Sequence, residues 1–272
     1  MASSTTPFFE RLYPAMTAES RQAAALETRE LSIRFGGHLA VDAVSCTFHP
    51  GTLTAIVGPN GAGKTTYFNL ISGQLKATAG QVLFNGADIT ALPPSQRARR
   101  GLGRAFQLTN LFPYLSVHEN VRLAVQSRRG AGLDLLHTWR QHGELIAEAD
   151  EVIAQVGLSA RRDVRAGLLP HGDQRKLEVA ILIALKPQIF LFDEPTAGMS
   201  VDEVPIILDL IHAIKAGGDR TILLVEHKMD VVRSLADRIV VLHNGELVAD
   251  GDPASVIALP VVQEAYLGVA NV

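Results

Sequence analysis

Apolar residues in this chain come in short runs bounded by turn residues: LETRELSIRF (26–35), AVDAVSCTF (40–48), TLTAIVG (52–58), GQVLFNG (80–86), GLGRAF (101–106), QIFLF (188–192), RTILLVE (220–226) and RIVVLHNGELVADG (238–251). Runs of this length and bounding predict strands. In the last of them Asn244 and Gly245 supply the turn chemistry of a hairpin. Between several strands the apolar spacing becomes helical, after Lys64, after Asp173, across VDEVPIILDLIHAIKAG (201–217) and in MDVVRSLADR (229–238). That alternation predicts an α/β fold built on a mostly parallel sheet. The stretch from about 108 to 170 reads differently, with helical patterns at VHENVRLAVQS and ELIAEADEVIAQVG and no convincing strand, so it is expected to be a helical insertion. Beyond it, Leu177, Ile181, Ala184 and Leu185 recur at helical spacing, and Asp173 reads as the N-cap of that helix.

Composition narrows the partners more than the fold. With 272 residues and 47% hydrophobic content the chain can bury a large core, as one large domain or a domain carrying a subdomain, after a flexible extension over 1–25. The extension is rich in Ser, Thr and Ala and lacks the basic start and apolar stretch of a secretory signal. No apolar run reaches the roughly 18 to 20 residues needed to span a bilayer. The 25 Lys and Arg nearly balance the 28 Asp and Glu, so no general attraction to nucleic acid or anionic lipid is expected. The single cysteine, Cys46, cannot form an intrachain disulfide and reads as a small buried hydrophobe.

The chemistry is concentrated in a few places. GPNGAGKTT (58–66) matches the phosphate-loop pattern G-x-x-x-x-G-K-[ST], and it lies between an apolar strand and a helical pattern, as that pattern requires. The loop over Gly58, Pro59, Asn60, Gly61, Ala62, Gly63, Lys64, Thr65 and Thr66 can turn its backbone N–H groups, which all but Pro59 carry, toward phosphate, Lys64 can reach the outer phosphates, and the Thr65 hydroxyl can ligate magnesium. QIFLF runs into Asp193 and Glu194. A bare Asp-Glu pair is ordinarily a solvated turn, but here it follows a buried strand. Strand alternation would aim the two carboxylates differently, Asp193 at a metal and Glu194 at an attacking water as general base or water polariser. Gln107 and His227 end two further strands, and ligands of open α/β sheets bind at that edge.

Taken in order, GPNGAGKTT, the glutamine after GRAF, HGDQRKLEVA, IFLFDEPTAG and LLVEH resemble the motifs of an ATP-binding cassette ATPase over about residues 26–268. The resemblance implies a phosphate-loop core with an antiparallel β subdomain and an inserted helical subdomain. It also implies ATP with Mg2+ as the ligands. Gln107 then falls in the Q-loop as a metal and water contact, LPHGD (169–173) is the signature with Gly172 on nucleotide, TAGMS (196–200) leads to the D-loop, and His227 is the switch histidine. Phe35 matches the aromatic position that stacks on adenine, with a core aromatic as the alternative. RFGGHLAVDAVS, DITALPP, RRGLGRAFQLTNLFPYLSVHENV and VQEAYLG are similar to cassettes of branched-chain amino acid importers and their urea and amide relatives. Such cassettes are peripheral on the cytoplasmic face of the membrane. They pair with a second cassette, dock on two transmembrane permease subunits and are served by an extracytoplasmic solute-binding protein; no nucleic acid is expected.

The signature departs from the family's usual Leu-Ser-Gly-Gly-Gln, since Pro170 stands where a serine hydroxyl normally donates to phosphate. Two other readings stay open: a low-turnover regulatory cassette, against which Glu194 and His227 stand, and a soluble ATPase of nucleic acid or ribosomes, against which stand the single cassette and lack of a basic tract. A hydrogen bond to a charged group contributes about 1.5 to 3 kcal/mol, so its loss weakens closure over nucleotide by one to two orders of magnitude. If the chain pairs with a different cassette, the site built on its LPHGD segment turns over more slowly than the other, and Pro170→Ser raises its rate. Site-specific turnover in a defined heterodimer checks this, and equal rates at both sites would overturn it.

Overall fold

The computed structural model describes residues 25–105, 111–130 and 143–267. Gln107 and all of the expected extension except Ala25 lie outside them. Among the described residues, ten strands form two sheets. β1 (Leu26–Phe35), β2 (His38–Phe48), β4 (Ala79–Phe84) and the short β5 (Ala87–Asp88) make an antiparallel sheet in the order β2-β1-β4-β5. The second sheet runs β10-β9-β3-β8-β7-β6, from β10 (Glu246–Gly251) through β9 (Arg238–His243), β3 (Leu53–Val57), β8 (Thr221–Val225) and β7 (Ile189–Asp193) to β6 (Leu102–Ala105). All its pairings are parallel except β10 on β9, the hairpin predicted through Asn244 and Gly245. Both turn residues have positive φ, 50° and 85°, as a two-residue hairpin loop requires. β5, only two residues long, has no pattern from which it could be read.

The central strands β3, β7 and β8 are buried at every position, because the sheet is covered on both faces. The side chains of β7 and β8 alternate between two cores, whereas Ala55 and Val57 of β3 belong to a third cluster with Ile239 and Val241. Phe190, Phe192, Ile222 and Leu224 face a core completed by the helices α3 (Val117–Arg128), α4 (Gly143–Gln155), α5 (His171–Leu185) and α6 (Val204–Ala216). Leu191, Leu223 and Val225 face the other, filled by α1 (Lys64–Ser72) and the inner face of the antiparallel sheet, where Leu26, Leu31 and Phe48 are buried. α2 (Pro94–Arg99) contributes the buried Arg97, whose guanidinium donates to the carbonyls of Leu70 and Ile71 at 2.7 and 2.6 Å. These are the orphan carbonyls at the end of α1, and a cation suits them. α7 (Met229–Leu235), α8 (Pro253–Ile257) and α9 (Pro260–Leu267) close the far end. Among the described residues no helix is long and apolar enough to cross a membrane.

One expectation fails at α5. The helix begins at His171, two residues before Asp173, with Pro170 as N-cap at φ −54° and ψ 154° and no side-chain cap. Proline fixes the extended entry to the helix, so no Asp cap is needed, and Asp173 lies in the first turn, where it pairs with Lys176 at 2.8 Å. Proline in this place both removes the serine hydroxyl and sets where the helix starts.

Glu148 of α4 ties three helices together. Its carboxylate accepts from Arg128 at 2.7 Å, Arg129 at 2.8 Å and Lys186 at 2.7 Å, which belong to the end of α3 and the end of α5. Burial pushes its pKa up, but hydrogen bonds from Lys186, Arg128 and Arg129 outweigh this and bring it from 4.5 to about 2. A carboxyl depressed on folding contributes its stability above the unfolded value, and that contribution is lost as pH falls from about 4.5 toward about 2. Glu148→Gln therefore lowers the urea midpoint at pH 7, and the gap from the parent narrows across this acid range. Urea unfolding at pH 7 and pH 3 measures it; a gap independent of pH would contradict the assignment.

Candidate functional site

The edge where β3, β8 and β7 end carries the phosphate loop, Asp193 and Glu194, and His227. Strand order sets this arrangement: Ile56 of β3 pairs with Val225 of β8, and Val225 with Asp193 of β7, so three chain segments leave the sheet side by side. From β3 the chain turns through Gly58 to Gly63 and enters α1 at Lys64. Glycine is required at both ends of this turn. A Cβ on Gly58, at φ 153°, would stand 2.1 Å from the Leu242 carbonyl, and one on Gly63, at φ 96°, would stand 2.5 Å from the Ala40 carbonyl. The loop is thus clamped between the backbones of β9 and β2. At Gly61 an added Cβ would meet nothing within 4 Å, which leaves its outer face open to a ligand. Lys64 lies under the loop and donates from Nζ to the carbonyls of Gly58 at 2.7 Å and Pro59 at 2.9 Å. Burial lowers its pKa, while the nearby charges of Glu194 and Asp193 raise it.

Over the loop opens a cavity of about 380 Å³, lined by Asn60 to Thr66, by Glu194 and His227, and by Phe35, His38 and Ala40 of the first hairpin. Phe35 is 49% exposed, so the core-aromatic alternative does not hold, and its ring stands on the cavity wall. His38 was not anticipated, although its signal was present. Gly36 and Gly37 between two strands make a tight turn, and the register pairs Phe35 with His38 across it.

Asp193 and Glu194 diverge for a different reason than strand alternation. Asp193 is the last residue of β7, whereas Glu194 adopts a left-handed φ of 52°, which swings its side chain into the cavity. Such a conformation at a non-glycine residue is costly and is held here by its neighbours: the Glu194 amide donates to the Val225 carbonyl and its carbonyl accepts from Ala197. The His227 ring reaches Glu194, Nε2 to Oε1 at 3.1 Å. Asp193 turns into the protein and accepts from Arg104 of β6 at 2.6 Å, in a pair whose side chains are 5% and 9% exposed. Arg104 is anchored on its other side by Asn69 at 2.7 Å and Ser72 at 2.6 Å near the end of α1. Burial pushes the Asp193 carboxyl above the usual range and Arg104 pulls it back. Sequence inspection missed Arg104; the available clue was a cation in an otherwise buried strand, which demands a partner.

Gly172 stands apart from this group. It lies buried in the first turn of α5, against the Glu203 carboxylate, whose Oε1 would be 2.0 Å from a Cβ placed on it. Gln107 cannot be placed, being outside the described residues.

This geometry has a known counterpart. The sequence model of the ABC transporter family matches residues 41–197. The chain belongs to that family. It is 38% identical to the high-affinity branched-chain amino acid transport ATP-binding protein LivG of Escherichia coli (strain K12), over 90% of this chain and 98% of that one. It is 36% identical, with the same coverage, to BraF of Pseudomonas aeruginosa, which carries the same description. Among solved structures it is similar to the ADP conformation of MJ1267, an ATP-binding cassette of an ABC transporter, with 30% identity, a TM-score of 0.77, and 90% of this chain and 99% of that one covered. A nucleotide-free ATP-binding cassette aligns at 29% identity and a TM-score of 0.76, over 89% and 98%. In this cassette the buried Arg104–Asp193 pair makes a stability prediction. Breaking a buried pair from one side costs about 3 to 5 kcal/mol, because a carboxylate is left uncompensated. Arg104→Met lowers the unfolding free energy by about 3 kcal/mol on that basis, and Arg104→Met combined with Asp193→Asn recovers much of the loss. Denaturant unfolding of the single and double variants measures both.

Proposed function

We propose that this chain is the ATP-binding and ATP-hydrolysing subunit of an ABC importer for branched-chain amino acids or related small solutes such as urea and amides. The observation that carries it is the convergence, on one cavity, of the phosphate loop with the Glu194–His227 pair. The likeness to LivG and BraF supports the solute class. One cassette spans residues 26–268, with the stretch from 108 to 170 as its helical insertion. It works at the cytoplasmic face of the membrane against two permease subunits, paired with a second cassette and supplied by an extracytoplasmic binding protein. Phe112, Tyr114 and Leu168, large apolar residues 55%, 84% and 75% exposed around the insertion, suit a surface that a permease covers.

Roles follow from position. Phe35 and the hairpin wall take the base, and the loop from Gly58 to Thr66 takes the phosphates through its N–H groups and the start of α1. Lys64 exchanges two loop carbonyls for phosphate oxygens. Glu194, aimed into the cavity and touched by His227, accepts from the attacking water and orients it, and His227 is placed to follow the departing phosphoryl group. Gln107 completes the water site. Gly172 and the start of α5 face the nucleotide of the second cassette. Of the proposed magnesium donors, Thr65 lines the cavity, while the Asp193 carboxylate is turned onto Arg104 and would have to exchange that partner for the metal. When bound, magnesium supplies charge neutralisation on the outer phosphates.

Removing the Glu194 charge removes the water-orienting group and leaves the phosphate loop intact. Glu194→Gln lowers ATP turnover in the assembled transporter by roughly a hundredfold or more, while the nucleotide Kd stays within about threefold. Lys64→Ala instead weakens nucleotide binding itself. Steady-state hydrolysis beside fluorescent-nucleotide titration separates the two, and normal turnover of Glu194→Gln would overturn the assignment.

A further inference from the structure

Glu226 is among the most completely buried charged residues of the chain, 1% exposed, directly between the end of β8 and His227. A carboxylate is expensive to bury and stays charged only where donors converge on it. Here its donors come from two motifs. Oε2 accepts from the backbone N–H groups of His227 at 2.8 Å and Lys228 at 3.1 Å. Oε1 accepts a short hydrogen bond from the Thr196 hydroxyl. Thr196 itself is 1% exposed and stands two residues after Glu194, inside the turn that the Glu194 carbonyl closes on Ala197. The contacts make a closed ring: Glu194 leads through the turn to Thr196, Thr196 to Glu226, Glu226 to the backbone of His227, and the His227 ring back to Glu194 at 3.1 Å.

We infer that Glu226 is a positioning residue, which ties the Thr196 hydroxyl to the backbone of His227 and holds that histidine on Glu194. The inference rests on the assignment of Glu194 and His227 as the hydrolytic pair. Without the carboxylate, two backbone N–H groups at the start of the histidine loop lose their acceptor, and nothing from this residue fixes the angle at which the ring meets Glu194. Glu226 does not itself line the cavity, so nucleotide binding is expected to be retained when it is replaced. A glutamine can replace the ring member almost in full, since its carbonyl accepts from the two backbone groups and its amide donates to the Thr196 hydroxyl, which can also accept.

The experiment uses the assembled transporter for turnover and the purified chain for nucleotide binding. Glu226→Ala lowers kcat roughly tenfold or more, the scale set by two hydrogen bonds to a charged acceptor, with KM and nucleotide Kd unchanged. Glu226→Gln stays within about threefold of the parent, and Thr196→Val falls between the two. In combination with His227→Ala, Glu226→Ala adds no further loss, because it acts through the same residue. Parental kcat in both Glu226→Ala and Thr196→Val, or losses that multiply in the double variant, would overturn the inference. If Glu226→Ala does not fold, Thr196→Val alone and combined with His227→Ala gives the same decision. Normal turnover in His227→Ala would instead overturn the hydrolytic pair itself, which keeps the two failures apart.

Discussion

Two carboxylates at the end of one buried strand stand beside a loop built for polyphosphate, and the rest of the edge is arranged around that crowding of negative charge. Asp193 and Glu194 repel each other and repel what the loop is to hold. The fold answers by separating them. A left-handed turn at Glu194 swings one carboxylate into the cavity against His227, and Arg104 draws the other into the protein. Lys64 adds a cation from below. Each partner comes from a different strand or helix, so the parallel sheet's order is a condition for the chemistry as well as for the core.

The two cores follow from the same sheet. Alternating side chains of β7 and β8 supply opposite faces, one meeting α1 and the antiparallel sheet, the other the helices around α5. The phosphate loop and the start of α5 therefore belong to different layers. Among the described residues the cavity over the phosphate loop does not include Gly172, which meets Glu203 instead. On the proposed pairing with a second cassette, a nucleotide that touches both would lie between the two chains.

Much of this was legible from residue patterns. The strands, the hairpin at Asn244 and Gly245, and the phosphate loop were legible because each rests on local spacing or on residues close in sequence. Glu194 and His227 could be placed on one edge because strands deliver residues to an edge predictably, whereas Phe35 was reached only through the family resemblance. The misses have two causes, one local and one long-range. Asp173 had the chemistry of a cap but not the place, since Pro170 had already fixed the entry to the helix. Arg104 and Glu226 find partners 89 and 30 residues away, and only the folded sheet makes those neighbours. Glu203 reaches Gly172 in the same manner. For Asp193 and Glu194 the expected divergence holds, but by a backbone twist that no alternation rule contains.

Lys64, finally, folds back onto the carbonyls of Gly58 and Pro59, and this has a thermodynamic meaning beyond its position. The ammonium neutralises inward-pointing carbonyl dipoles and keeps the glycine-rich turn curled, so the conformational entropy of ordering the loop is met during folding and not at the moment of binding. A nucleotide then has only to exchange one set of lysine hydrogen bonds for another, with little further ordering of the loop to be met. For a subunit that must turn over repeatedly, a loop already curled around its own lysine is a receiver kept at constant readiness.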